Sequence, residues 1–377
     1  MTHKRFISVD ILRGIIISIM LLGNLSPDSG FTYTQFLHCT WEGIHIIDMA
    51  FPGFIFIMGI SMSLSGLNTK QNWLSKVLQR TLILLIIGTI LNHLSFFVNV
   101  IATTDYSLLD CLKEIKANFR PLGVLQRIAL VYFISAFIFR LSSGKYSLGM
   151  LATILMLLST TGYHWYNPEM SYNELNNISI AIDQSFLGSN HTYDHGLWDP
   201  EGIYGTINAT ASALLGLITG ILLKEHTRII FSGTSTAKKL FIYGTSCIVI
   251  GWCWSNVEII SKPLWTAPYV LVNAGIDLIL LSILEIAVEK PIFHLIYHPW
   301  QAIGRNPILI YVISEIVVIT LCTLTFNQEP LYTWLYHTYC FDPSNPYFTT
   351  LLYTVGWLIV YTIMAEILYA KNIIIKL

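Results

Sequence analysis

Ten stretches of this chain, at about 10–26, 44–66, 80–100, 122–140, 147–163, 204–223, 239–257, 268–288, 304–325 and 349–370, are apolar over a length that matches a bilayer. A hydrocarbon core about 30 Å thick takes roughly 20 residues of helix to cross. Backbone inside lipid must satisfy its own N–H and C=O groups, so such stretches fold as helices packed side by side. Only 11% of the residues are charged, less than half of the ~25% usual in a soluble domain. The runs consume most of the 377 residues and leave no room between them for a separate soluble domain. The expectation is one all-α domain over 1–377, a polytopic transmembrane helical bundle of about ten spans in a lipid bilayer.

Lysine and arginine set the orientation. With the first residues in the cytoplasm, the inner segments hold Lys4, Arg5, Lys70, Lys76, Arg80, Arg140, Lys145, Lys224, Arg228, Lys238, Lys239, Lys290, Arg305, Lys371 and Lys376. The outer segments hold only Lys113, Lys116, Arg120 and Lys262. That imbalance predicts both termini in the cytoplasm and an even number of spans. It sends the acidic stretch with Asp183, Asp194, Asp199 and Glu201 outside, together with His38. The basic MTHKR resembles the start of a signal peptide, but no small-x-small cleavage site follows the first apolar run, which is therefore read as a retained helix. The net charge of −1 carries no functional signal, and no basic cluster points to nucleic acid.

The second apolar run begins with an unusual set of side chains. In HCTWEGIHIIDMAFPGF, His38, Trp41, His45 and Asp48 are spaced three, four and three apart, so a helix carrying them would align them on one stripe. Ionisable groups at membrane depth mark functional sites by default. The bland alternative is an interfacial cap with a tryptophan anchor; the inward run of the stripe to Asp48 argues for function. The outer segments 24–41, 101–121 and 164–203 are long, and the last, with GYHWYNPEMSYNELNN and SNHTYDHGLWDPEG, mixes aromatic, amide and acidic residues. Such a mixture either packs on its own membrane domain or offers stacking platforms to a sugar. Cys39, Cys111, Cys247, Cys253, Cys322 and Cys340 show no metal-ligand spacing, so no metal is expected, and the three on outer loops (39, 111, 340) have no readable pairing.

Other motifs read as helix punctuation. Ser8 or Asp10 caps the first helix, with Asp10 and Arg13 placed to pair at i, i+3. Arg127, in GVLQR, lies just inside a span and needs a carboxylate, a carbonyl or an anionic ligand, Asp48 being one structural choice. Asp199 and Glu201, in WDPEG, precede a helix bearing Thr206 and Asn208 and either cap its positive end or hold an amine. KPLWT at 262–266 and GRNP at 304–307 open helices. No internal repeat is evident.

Six of these motifs in order, SVDILRG, HCTWEGIHIIDMAFPGFIFIMGISMSLS, PLGVLQRIALVYF, DPEGIYGTINATASALLGLITG, KPLWTAPYVL and GRNPILIYV, resemble the heparan-α-glucosaminide N-acetyltransferase family of membrane acetyltransferases. The first also resembles the Asp-x-x-Arg-Gly of the broader membrane acyltransferase group. The resemblance implies an enzyme that takes acetyl from acetyl-CoA on the cytoplasmic side and delivers it to the amine of a terminal glucosamine on the far side. It implies that His38 is the catalytic histidine and that Asn24 is a nearby functional asparagine. The additional N-terminal luminal part of lysosomal family members is expected to be missing.

Residue chemistry fits that assignment independently. An amine attacks a thioester as its free base, and a neutral imidazole can remove its proton. His38 thus serves as general base, or attacks the thioester itself and carries the acetyl group as an acyl-imidazole. Asp48 or Asn24 would orient the ring or stabilise the oxyanion. His45 is a second histidine candidate. Arg305, Lys238, Lys239 and Arg80 are available on the inner side for the phosphates of coenzyme A. Trp41, Arg127, Asp199, Glu201 and Asn208 are the candidates for holding an amino-sugar or glycan-end acceptor. The whole is read as an acetyl-CoA-dependent enzyme in a bacterial inner membrane, for which a homodimer is an admissible assembly. The competing readings are O-acylation of a cell-envelope polysaccharide and a secondary sugar or amino-acid transporter with His38, Asp48 and Arg127 as a proton relay.

Overall fold

The computed structural model of the chain describes residues 6–103, 108–193, 196–228 and 233–375; Lys4, Arg5, Asp194 and Lys376, named above, lie outside them. The described chain is almost entirely helical. In order the helices are α1 Ile7–Asn24, α2 Ala50–Leu64, α3 Trp73–Asn92, α4 Leu94–Thr103, α5 Leu108–Ala117, α6 Val124–Leu141, α7 Lys145–Tyr166 and α8 Ile178–Phe186. They continue as α9 Gly205–Arg228, α10 Gly233–Trp254, α11 Ala267–Val288, α12 His294–Arg305, α13 Pro307–Thr323, α14 Leu331–Tyr339 and α15 Pro346–Ala370. Between α13 and α14 a two-residue hairpin pairs Thr325 with Pro330 and Phe326 with Glu329.

Among the described residues eight helices are long and apolar enough to cross a membrane: α1, α2 with the turn before it, α3, α6, α7, α9, α11 and α15. The chain is an integral membrane protein with an all-α bundle. Two of the ten expected runs behave differently. The run at 304–325 belongs to a pair, α12 and α13, bent by 77° at a break, which makes a ninth span when counted as one. Pro307, at the start of α13, lacks the N–H that would continue the α12 ladder. The run at 239–257 folds as α10, which packs along α11 and is outside those eight. Exposed apolar side chains sit in helical rows, Leu78, Leu82, Ile86 and Ile90 on α3 and Ile359, Ile363 and Ile367 on α15. A row spaced by four is one helix face turned toward hydrocarbon.

Small residues bring the central helices together. A methyl group on Gly59 would overlap the Ala213 carbonyl, and one on Gly216 would overlap the Phe56 carbonyl, so α2 and α9 touch backbone to backbone. Gly14 and Gly304 do the same for α1 and α12 against Trp300 and Asp10. In lipid, where apolar side chains gain little from leaving hydrocarbon, such close approach is what holds helices together. Arg13 donates to Asp10 at 3.0 Å, as its spacing predicts, and also to the Gly304 carbonyl at 2.9 Å and Ser61 Oγ at 2.7 Å, linking α1, α2 and α12. All six cysteines are free, so no disulfide joins the outer loops.

Candidate active site

The segment carrying His38, Trp41, His45 and Asp48 is not a helix. Residues 37–45 form a loop, a single tight turn covers Ile46–Met49, and α2 begins only at Ala50. The predicted stripe fails because side chains capture the backbone bonds a helix would use. Asp48 Oδ2 accepts from the N–H groups of Cys39 at 3.1 Å and His45 at 3.0 Å. His45 Nδ1 pairs with the Leu37 carbonyl at 2.7 Å, and Gly43, at φ 111°, donates its N–H to Ile260 of another loop. The folded loop reaches by a different route what the stripe would have done for His38. Asp48 is fully buried, and its Oδ1 lies 2.7 Å from His38 Nδ1, while half of the imidazole stays exposed.

His38 faces a cavity of about 480 Å³ at the end of the bundle where α1 stops and α2 starts. Asn24, Arg120, Tyr193, Trp198, Glu201, Lys262 and Glu315 also line it. Lys262 was read from sequence only as part of a helix start. Its Nζ lies 2.8 Å from His38 Nδ1, 3.2 Å from Nε2 and 3.4 Å from Asp48 Oδ1. Burial pushes this ammonium below the ordinary lysine range, against the opposing pull of Asp48 and Glu201. Cys39 also lines the cavity, but burial and the adjacent Asp48 push its thiol up to about 11, which makes it a poor nucleophile. Cys39, His45 and Asp48 have atoms within 4.8 Å of one another, yet the carboxylate already takes two N–H groups and the His38 ring.

Two expected acceptor ligands lie beneath the site instead of in it. The Arg127 guanidinium, fully buried, donates to the Gly202 carbonyl at 2.8 Å and stacks 4.9 Å from the Trp265 ring centroid; its partner is not Asp48. Asn208 donates to the Trp265 carbonyl at 2.8 Å and to Ser159 at 3.0 Å. Both brace Trp265, which is fully buried at a left-handed φ of 52° and donates its N–H to the Lys262 carbonyl. The KPLWT loop is therefore held from below by the residues expected to bind substrate. Tyr269 adds a bond from its hydroxyl to the Asp48 carbonyl at 2.6 Å.

The loop of 164–203 contributes the far rim. Arg120 makes a two-pronged pair with Asp199 at 2.8 and 3.0 Å and reaches Glu201 at 2.7 Å. Asp199 is buried and spent on Arg120 and on the Tyr193 and Glu201 N–H groups, whereas Glu201 lines the cavity. Tyr193, under the Arg120 guanidinium, and Trp198 are the aromatic faces at the cavity. Trp41 is buried, donates to the Tyr172 carbonyl and packs edge-on against Trp198. Across the cavity, Asn24 Nδ2 donates to Glu315 at 2.8 Å, a contact between α1 and α13 that nothing in the local sequence announces.

At the opposite end of α1 and α2 lies a second cavity, of about 370 Å³, lined by Arg13, Ser61, Arg80 and Arg305. Arg80 stacks on Tyr132 and Arg305 on Tyr369, and each buries an Nε with no hydrogen-bond partner among the described residues. Lys238 and Lys239 are exposed on α10 and do not line it. Phe54 and Ile308 line both cavities, so the two meet at those side chains.

The family model for the catalytic region of heparan-alpha-glucosaminide N-acetyltransferase matches residues 5–176, which include His38, Asp48 and Arg80. The mouse protein heparan-alpha-glucosaminide N-acetyltransferase is 29% identical over 373 residues, covering 83% of this chain. Over these residues the chain is similar to this family. The human protein of the same name is 27% identical over 375 residues, again over 83% of this chain. The chain spans about half the length of the curated relatives it matches, 54% of the mouse protein and 53% of the human one.

Proposed function

We propose that this chain moves an acetyl group from acetyl-CoA, held in the arginine-lined cavity, to the amine of a terminal glucosamine or related amino sugar held in the cavity at His38. One observation carries the reading: the His38–Asp48 pair and the arginine cluster occupy separate cavities that meet at Phe54 and Ile308. With Nδ1 of His38 donating to Asp48, Nε2 carries the lone pair that takes a proton from the acceptor amine once the amine replaces its contact with Lys262. Asp48 thus positions the ring and fixes its tautomer. The unpartnered Nε groups of Arg80 and Arg305, with Arg13 beside them, suit the phosphates of coenzyme A, because guanidinium donors pair strongly with phosphate oxygens. Glu201, Tyr193 and Trp198 supply a carboxylate and two aromatic faces for the sugar, with Asn24 and Glu315 on the opposite wall. The excess of lysine and arginine at the arginine-lined end supports a cytoplasmic donor side and an outer acceptor side, in a bacterial inner membrane.

The test uses the full chain in proteoliposomes with acetyl-labelled acetyl-CoA and a panel of amino sugars and hydroxyl acceptors. Labelled N-acetylglucosamine is the expected product. Label appearing only on hydroxyls, or free sugar accumulating with no acetylated product, would overturn the reading.

A further inference from the structure

The cation at the His38 cavity has no task in the mechanism so far. We propose that Lys262 is a second catalytic residue, whose ammonium binds the carbonyl oxygen of the thioester and stabilises the oxyanion formed when the amine attacks. The proposal rests on the transferase reading above.

Four observations carry it. Lys262 Nζ sits beside the His38 ring, 2.8 Å from Nδ1 and 3.2 Å from Nε2, so anything reacting at Nε2 is within reach of the ammonium. Its side chain is only 15% exposed, and it lines the cavity. Lys262 pairs with Asp48 at 3.4 Å, but that carboxylate also accepts from Cys39, His45 and His38, and an ammonium has three N–H donors, so one remains for a bound carbonyl oxygen. Removing a lysine from water is costly unless its charge is used. Finally, the loop that presents it is braced far beyond what a helix start requires. Trp265 is held in a left-handed conformation by Arg127, Asn208 and Ser212, and the Ile260 carbonyl is tied to Gly43. Backbone strain kept in place by surrounding contacts gathers where a side chain must be aimed.

The amine nitrogen attacks the carbonyl carbon, a C–N bond forms, and the C=O π pair moves onto oxygen, where the Lys262 ammonium donates to it. The proton leaving nitrogen passes to His38 Nε2. The oxyanion pair then re-forms C=O, the C–S bond breaks, and the departing thiolate takes the proton back from His38. Amine and thioester become amide and thiol, and both residues return to their starting states. A preorganised donor at a developing oxyanion is worth roughly 100- to 1,000-fold in kcat.

The experiment compares wild type, Lys262→Met and Lys262→Arg, each as the full chain in nanodiscs. Lys262→Met is expected to lose roughly 100-fold or more in kcat, with KM for both substrates and the unfolding temperature unchanged, and Lys262→Arg to recover part of the loss by keeping the charge. A Met variant with wild-type kcat, or one whose loss lies in KM and unfolding temperature, overturns the proposal. A second arm works without either substrate. Diethyl pyrocarbonate acylates a histidine through the same kind of tetrahedral oxyanion, and the label on His38 is followed by mass spectrometry. Slower labelling in Lys262→Met, by about tenfold or more, supports the role, and equal labelling overturns it whichever way the transfer assay falls. A wild-type chain that transfers no acetyl while its His38 labelling depends on Lys262 breaks the transferase reading and leaves the lysine assignment standing.

Discussion

The two cavities balance charge in opposite ways. At the His38 cavity, cations and anions are matched within the protein: Arg120 with Asp199 and Glu201, Lys262 with Asp48, and His38 against the same carboxylate. At the arginine-lined cavity, Arg13 pairs with Asp10, while Arg80 and Arg305 stack on tyrosines and keep buried Nε donors without partners among the described residues. A matched cluster holds groups in fixed positions and suits bond making, whereas an unmatched cluster of guanidiniums stores affinity for an anion that comes and goes. The His38 cluster is built mostly from loops and the arginine cluster from helix faces and ends. Precise placement at the His38 site therefore depends on bracing such as that around Trp265.

The sharpest way to break this contrast is to remove the imidazole. His38→Ala should lower kcat by about 1,000-fold, within the range for loss of a general base, with KM for acetyl-CoA and the unfolding temperature unchanged because Lys262 still faces Asp48. A normal rate would move the chemistry out of the His38 cavity. Next comes the arginine cluster. Arg80→Ala should raise KM for acetyl-CoA by about 10- to 100-fold, the equivalent of a charged hydrogen bond worth roughly 1.5–3 kcal/mol. The effect should shrink at high salt while kcat barely moves, and a fall in kcat alone would abolish the division of labour.

The smallest effect concerns stability. Asp183, on α8, is a carboxyl without a matching cation: burial pushes it up to about 6, and Oδ2 has no partner among the described residues although Oδ1 accepts from the Ile203 N–H. The folded chain therefore holds a proton there that the unfolded chain has released. Its contribution to stability is fully present below the unfolded value near 4 and is lost as pH rises through about 6. Asp183→Asn should flatten the fall in unfolding temperature across that window and leave stability higher at neutral pH. An unchanged slope would show that other groups carry it.

Much of the bundle was legible from the chain because lipid leaves the backbone few options, and the apolar runs map onto α1, α2, α6, α7, α9, α11 and α15 with shifts of a few residues, whereas the run at 80–100 straddles the end of α3 and the start of α4. The break between α12 and α13 was marked by Asn306-Pro307, but its angle depends on how α12 packs against α1. At the site, His38 and Asp48 were identifiable as costly polar residues beside an apolar run. The helical stripe was not realised, since a carboxylate two residues before α2 could bind backbone N–H groups more directly than a helix could. Lys262, Glu315, Tyr193 and Trp198 reach the cavity from segments distant in sequence, and periodicity carries no record of such meetings. Arg127 was legible as a group that needs a partner and Asn208 as an acceptor candidate, and both contact a neighbouring loop at Trp265.

That Phe54 and Ile308 border both chambers has a consequence for access. Two apolar side chains form the shared wall, so a change of size at either one alters both chambers at once, and a bulkier or smaller side chain there tunes how far a ligand in one chamber extends toward the other.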